Sequence, residues 1–424
     1  MDLQTAKGVK DVPPEEKSVK NKVVNTLIEV FEVYGFAPLE TPLLERYETL
    51  AAKFTAGEES DALKETFSLL DQGQRKLGLR FDLTVPLGRF MAMNPNLKMP
   101  FKRYEIGPVF RDGPIKLGRY REFWQCDIDV IGSNSMLAEA EILAVVQSVF
   151  EKLKVDVIIK VNNRKLLNGI LEQNGINEKE QAIISIDKLD KIGEKGVIDE
   201  LQQKGCKEKQ VKDVLNLIKE NKVSELKKKV TNPEGLQGIQ ELEELFGYLK
   251  TMGVQKVQFS ASLARGLAYY TGTVYEAFDK KGTISSSLAG GGRWDNMIGK
   301  FMEKNEIVPA VGIAFGLEPI MDLLKLQNKI ELKRTPAQVY VLPINTIQES
   351  LEVVQELRAA GIKSDFCLGK KGVSKNLEYA SALGIPYVII IGEDELKKNK
   401  VLLRDMISGT EQLLALSSVI KKLK

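Results

Sequence analysis

No histidine occurs among the 424 residues of this chain. At ordinary usage a chain of this length would carry roughly ten. The absence excludes an imidazole base, an imidazole metal ligand and any triad built on histidine. Proton transfer is left to Asp, Glu, Lys, Tyr, water or a bound substrate. Cysteine is nearly as scarce, and Cys126, Cys206 and Cys367 are far apart and odd in number. They offer no disulfide framework and no zinc site, which fits a reducing compartment. No run of eighteen apolar residues and no apolar N-terminal segment occurs. Neither a membrane span nor a secretory signal is expected, and a cytoplasmic location is. Neither sign of charge dominates, with 61 Lys and Arg against 58 Asp and Glu. A polyanionic partner would therefore be met by local patches rather than by the whole surface.

What is present reads as a large multidomain enzyme. The length exceeds what one ordinary core organises, so two or three domains are expected. The most informative stretch is 264–276, Ala-Arg-Gly-Leu-Ala-Tyr-Tyr-Thr-Gly-Thr-Val-Tyr-Glu. Arg265 stands just ahead of Tyr269 and Tyr270, between Gly266 and Gly272, before the run turns β-like. Glycine lets backbone approach a ligand closely. The guanidinium suits phosphate or carboxylate, and the phenols suit a small polar ring. By residue type alone, the same run also reads as an edge strand with a surface arginine.

Along the chain, Pro13-Pro14-Glu15-Glu16 marks a helix start. Val19, Val23, Val24, Leu27, Ile28, Val30 and Phe31 continue at helical spacing until Gly35. Residues 36–44 read as a strand with Pro42 at an edge or interface. Residues 77–86 alternate like a strand, with Arg80, Asp82 and Thr84 on one face. A hairpin follows, one strand ending at Phe110-Arg111-Asp112 and the return strand starting near 119–123. Arg121, Gln125, Asp127 and Asp129 share a face of the return strand. The hairpin also reads as a nucleic-acid β-ribbon. Residues 176–250 are rich in Lys, Glu and Leu and read as charged helices. The lysines at 207–229 serve either as solvated helix faces or as RNA-backbone contacts. After Thr335-Pro336, the β-α-β-α-β alternation through Tyr387-Val388-Ile389-Ile390-Ile391 predicts a small parallel or mixed sheet with helices outside.

The run at 264–276, together with Gly290-Gly291-Gly292-Arg293-Trp294-Asp295, resembles the two signature peptides of histidyl-tRNA synthetases. The arginine hairpin is similar to one shared across class II synthetases, and the likeness covers essentially the whole chain. It implies an α+β fold, with a class II catalytic domain built on an antiparallel sheet with flanking helices. The domain boundaries implied are 1–165 with 251–330 for catalysis, 166–250 for a helical insertion and 336–424 for an anticodon-binding α/β domain. The implied reaction is ATP-dependent activation of L-histidine and transfer to tRNA(His), with Mg²⁺ as cofactor and a homodimer as assembly. Asp82, Leu83, Thr84, Gln125, Asp129, Tyr269 and Tyr270 would bind histidine. Asp82, Thr84 and Gln125 would take its ammonium group, and Asp129 and Tyr270 its imidazole. Arg111 and Arg265 would be catalytic and bind ATP, with Arg293 as a third ATP ligand. Such an enzyme needs no histidine of its own, and a chain free of His codons could be translated while histidine is depleted.

Three positions depart from the family pattern. Pro319 stands where the family carries an arginine facing the γ-phosphate, Ala268 replaces an aspartate, and Gly113 replaces an acid. The loop Pro114-Ile115-Lys116-Leu117 also lacks the Arg-Pro-Gln of many members. These departures leave open a catalytically weakened or non-catalytic paralogue that senses histidine or regulates a partner.

Overall fold

The computed structural model describes residues 3–51, 61–115, 120–266, 269–302, 306–327, 329, 333–369 and 372–424. The chain falls into two compact units, residues 1–10 with 22–329, and residues 11–21 with 330–424. Among the described residues, no helix is long and apolar enough to cross a membrane.

Among the described residues, the larger unit is built on eleven strands. In chain order these are β1 (Ala37–Pro38), β2 (Leu44–Arg46), β3 (Ser68–Leu70), β4 (Lys76–Leu79), β5 (Phe101–Phe110), β6 (Glu122–Ile131), β7 (Val157–Asn163), β8 (Val257–Phe259), β9 (Thr273–Asp279), β10 (Ala289–Arg293) and β11 (Ala310–Gly316). Eight form one sheet in the order β1-β5-β6-β11-β10-β9-β7-β8, and β2-β4-β3 form a small second sheet. The large sheet is antiparallel except at its edges, where β1 pairs with β5 and β8 with β7 in parallel. The α+β architecture implied by the resemblance is the one that forms.

Alternation along the long strands gives the sheet two unlike faces. Tyr104, Cys126, Ile128, Val130, Ile313 and Phe315 are buried on one side. Phe31, on the helix Pro14–Val33, packs its ring 5.6 Å from Phe315. Phe150, on the helix Met136–Lys152, sits 5.9 Å from Phe315. These helices cover the apolar face and leave the other, charged face for a site.

Two strand readings need correction. Residues 36–44 are not one strand, because β1 stops at Pro38 and β2 begins at Leu44. The intervening Pro42 lacks the N–H that a continuous ladder requires. Residues 77–86 are not one strand either, since β4 ends at Leu79 and the helix Thr84–Met93 follows. Asp82 Oδ1 accepts the Val85 N–H at 2.9 Å, which supplies an acceptor to the helix start. Pro86 is tolerated there because first-turn N–H groups have no intrahelical partner.

Six helices occupy 164–251: Arg164–Gln173, Lys179–Ile186, Leu189–Gln203, Glu208–Ile218, Val223–Lys229 and Pro233–Thr251. Asn163 caps the first through Lys165 N–H, and Asn232 caps the last through Gly235 N–H. Lys212, Lys219, Lys227, Lys228 and Lys229 each pair with a glutamate at 2.6–3.1 Å.

The second unit holds β12 (Val339–Pro343), β13 (Ser364–Phe366), β14 (Tyr387–Ile391), β15 (Val401–Asp405) and β16 (Glu411–Leu414) in the order β13-β12-β14-β15-β16. The first three strands are parallel and the last two antiparallel, a mixed sheet as the alternation predicted. Its core includes Val339, Val341, Val354, Leu357, Ile389 and Ile391.

Candidate active site

Strand register sorts the charged face into rows. One row runs Arg103, Asp129, Gly312, Gly292, Val274 and Asn162 across β5, β6, β11, β10, β9 and β7. The next runs Glu105, Asp127, Ala314, Gly290, Glu276 and Lys160 through the same pairings. Gln125 lies beyond, between Gly107 and Gly316. Acids therefore stand at both sides of a glycine-floored trough. From β6 to β9 is three strand spacings, roughly 14 Å, enough for a small ligand.

The glycines are steric requirements. A β-carbon at Gly312 would lie 1.9 Å from Asp129 Oδ1, and one at Gly290 would lie 1.8 Å from Arg265 Nη1. At Gly292 it would meet the Tyr270 ring at 2.9 Å. The second signature peptide thus provides a bare floor on which the side chains of the first one lie.

Beside that floor the acids are unusually needy. Arg103 is completely buried, with Nη2 2.8 Å from Asp129 Oδ2 and 3.2 Å from the Leu83 carbonyl, and Nη1 3.7 Å from Glu105 Oε2. Yet Asp129 Oδ2, Asp127 Oδ1, Glu105 Oε2 and Gln125 Oε1 are buried without a hydrogen-bond donor. The Arg103–Asp129 approach is an ion pair at an angle too poor for a hydrogen bond. Burial raises the Asp129 carboxyl to about 6 against the pull of Arg103. Burial likewise lifts Asp127 well above the ordinary carboxylate range, helped by Asp129, Asp82 and Glu105. A trough with spare acceptors and unwilling anions favours a ligand rich in N–H donors.

The arginines bound the trough. Arg265 Nη1 donates to Glu276 Oε1 at 2.8 Å, and its guanidinium stands 5.6 Å from the Tyr270 ring centre. Tyr269 and Tyr270 rings are 4.4 Å apart, with their hydroxyls 3.3 Å apart. Burial pushes the Tyr269 phenol up to about 12; Arg111 and Arg265 favour its ionised form and Asp82 opposes it. Arg111 follows the end of β5, its Nε donating to the Phe81 carbonyl at 3.0 Å and its guanidinium lying 5.1 Å from the Phe123 ring centre.

Most of the residues singled out in the sequence thus converge: Asp82, Gln125, Asp129, Tyr269, Tyr270, Arg111 and Arg265. Thr84 is the first residue of the helix after Asp82. Leu83 is buried in the core, so only its backbone can reach the site, and its carbonyl already accepts from Arg103. Arg293 does not converge. It lies on the opposite face of β10, where Nε and Nη2 grip Glu139 at 2.6 and 2.8 Å and Nη1 donates to the Ser133 carbonyl. Period-two alternation puts 290 and 292 on one side and 293 on the other.

Arg103, Glu105 and Glu276 carry the site as well and were not singled out. Their signal was available, since 103 and 105 alternate with apolar neighbours in β5 and thus share a face. At Gly113, a β-carbon would lie 2.6 Å from Glu65 Oε1, so a carboxylate from elsewhere fills the place of the missing acid. Pro319 is third in the helix Leu317–Leu326, where its missing N–H costs little. Glu318 Oε2 accepts the Trp124 N–H at 2.9 Å. Ala268, Lys116 and Leu117 lie outside the described residues.

Comparison with known proteins agrees with this geometry. The family model described as Histidyl-tRNA synthetase matches residues 8–320, and that described as Anticodon binding domain matches 338–424. Histidine–tRNA ligase 1 of Bacillus cereus is 43% identical over 430 aligned residues, covering 100% of both chains. The crystal structure of histidyl-tRNA synthetase from Nostoc sp. PCC 7120 matches with a TM-score of 0.87 at 32% identity, over 100% of this chain and 99% of that one. A Bacillus halodurans C structure titled ATP phosphoribosyltransferase regulatory subunit/histidyl-tRNA synthetase shares the fold at 20% identity and a TM-score of 0.75, over 89% of this chain and 97% of that one. With its signature peptides, its glycine-floored trough and relatives matched end to end, the chain belongs to the histidyl-tRNA synthetase family.

Proposed function

We propose that this protein activates L-histidine with ATP and transfers it to tRNA(His), working in the cytoplasm as a homodimer. The observation that carries the reading is the row holding Asp129 beside Gly312 and Tyr270 over Gly292. These are neighbouring strands, so a carboxylate and a phenol face the same small space, suited to the two nitrogens of an imidazole. Asp82, Thr84 and Gln125 take the ammonium group, with the Leu83 backbone behind them. Unpaired Gln125 Oε1 and Asp127 Oδ1 are acceptors of the kind an ammonium needs.

Activation brings the substrate carboxylate onto the α-phosphorus of ATP and expels pyrophosphate. Two anions must meet, so the enzyme's task is positioning and charge stabilisation. Arg111 and Arg265, at the trough's two sides, hold the α-phosphate and carboxylate. Magnesium is assigned to the phosphates of ATP; among the described residues no group of three acids or thiols is arranged to hold a metal alone. Residues 1–165 with 251–330 form the catalytic domain, 166–250 the helical insertion and 336–424 the anticodon-binding domain. Exposed Leu43, Leu44, Leu69 and Leu70 around the small sheet support a dimer contact there.

The test is ATP–pyrophosphate exchange with each of the twenty amino acids. Exchange is expected with histidine alone, because buried unpaired acceptors penalise ligands that cannot fill them. No exchange with histidine, in pure protein with Mg²⁺, would overturn the enzymatic reading.

A further inference from the structure

The loop carrying Arg265 is held mainly from one direction. Asn162 Nδ2 donates to the carbonyls of Ala261 and Leu263, both at 2.9 Å. Arg164 N–H donates to the Gly272 carbonyl at 2.7 Å, and its Nη1 reaches the Arg265 carbonyl at 3.4 Å. Residues 162 and 164 lead into the helical region. From inside that region comes a further contact. Asp187 caps the C-terminal end of the helix Lys179–Ile186, and its carboxylate lies against Gly266, where a β-carbon would sit 3.2 Å from Oδ2 and 3.7 Å from Cγ.

We propose that Asp187 is a positioning residue for Arg265, fixing the catalytic guanidinium from the helical region through its charge. The proposal rests on the reading of Arg265 as a group that stabilises the activation step. Arg265 is otherwise braced by Glu276 from β9 below and by the bare floor at Gly290. Asp187 places a second carboxylate beside Gly266, the residue that follows Arg265. Burial raises the Asp187 pKa, Glu276 adds to the rise, and Arg265, Lys191 and the Gly266 N–H oppose it. Beyond Asp187 the helical region stands off from the loop's root: a cleft of about 350 Å³ opens between Leu189, Gly193 and Glu194 on one wall and Phe259–Ser262 on the other. Asp187 therefore touches the loop at the rim of that gap.

The experiment compares Asp187→Asn and Asp187→Ala with the unmodified protein in histidine-dependent pyrophosphate exchange, each alone and on an Arg265→Ala background. Asp187 lies at a helix end and outside the buried core, so both variants should melt within a few degrees of the parent. Both should lower kcat about tenfold, less than the roughly hundredfold that misplacing a reacting group by about 1 Å can cost. The KM for histidine should stay within about twofold, a split that a merely structural role would not give. On the Arg265→Ala background, neither change should lower kcat further. Parental kcat in Asp187→Asn, or a full further loss on that background, overturns the positioning role. Absence of exchange in the unmodified protein would instead overturn the enzymatic reading itself.

Discussion

Two buried arginine–carboxylate pairs stand on opposite faces of one sheet, and they differ in completeness. Behind the sheet, Arg293 and Glu139 make two short bonds, Thr273 Oγ1 donates to the same carboxylate, and Asp295 and Ser133 take the remaining guanidinium donors. In front, Arg103 stands 2.8 Å from Asp129 and 3.7 Å from Glu105, and one oxygen on each acid is left without a hydrogen-bond donor. Burial raises the acid's pKa in both pairs. A satisfied pair is architecture. An unsatisfied one, on a face open to a trough, is a site awaiting its ligand.

The sharpest way to break that contrast is Arg293→Ala. It strands Glu139 as an uncompensated buried charge, for which about 3–5 kcal/mol of stability should be lost. Thermal or denaturant unfolding would register it. If stability held and only the KM for ATP rose, the back-face role would be wrong and the ATP-ligand reading of this arginine would return.

Asp129→Asn should give a smaller change of opposite sign. The Asp129 pKa is raised from 3.8 to about 6. Its contribution to stability is therefore complete below about pH 4 and lost as pH rises through about 6. Asparagine does not charge, so at about pH 7.5 the variant should be the more stable by up to about 3 kcal/mol. The advantage should vanish in acid, while histidine-dependent exchange collapses. A variant less stable than the parent at neutral pH would mean that Arg103 repays the buried charge after all.

Pro319→Arg should have the smallest effect. A guanidinium in the first turn of the helix Leu317–Leu326 should lower the KM for ATP by about fivefold at most, the scale of an exposed ion pair. The KM for histidine should not move. An unchanged or higher KM for ATP would show that another cation already serves.

How far the sequence reached follows from the same two faces. Alternation in β6 placed Gln125, Asp127 and Asp129 together, and the structure keeps them so. The second unit was legible because its strands and helices alternate with clear periods. Arg293 misled because a glycine-rich run carries no alternation from which its side can be read. Residues 77–86 misled because apolar and polar residues alternate through a strand end, a turn and the first turn of a helix. Asp187 gave no signal at all, lying in a charged helical block far from Arg265 in sequence and beside its loop only in space.

The bare floor has a consequence for how this protein tolerates change. On the helix-covered face, side chains of similar volume can be exchanged and the packing can relax around them. At Gly290, Gly292 and Gly312 there is no smaller residue to fall back on, and any replacement introduces a carbon into space that Asp129, Arg265 or Tyr270 already fills. In a saturation library read by growth, these positions should be blank columns, every variant depleted alike whatever its polarity. Neighbouring Ile313 and Phe315 should show graded tolerance by size. The boundary between the two patterns would trace the ligand's outline without any ligand being present.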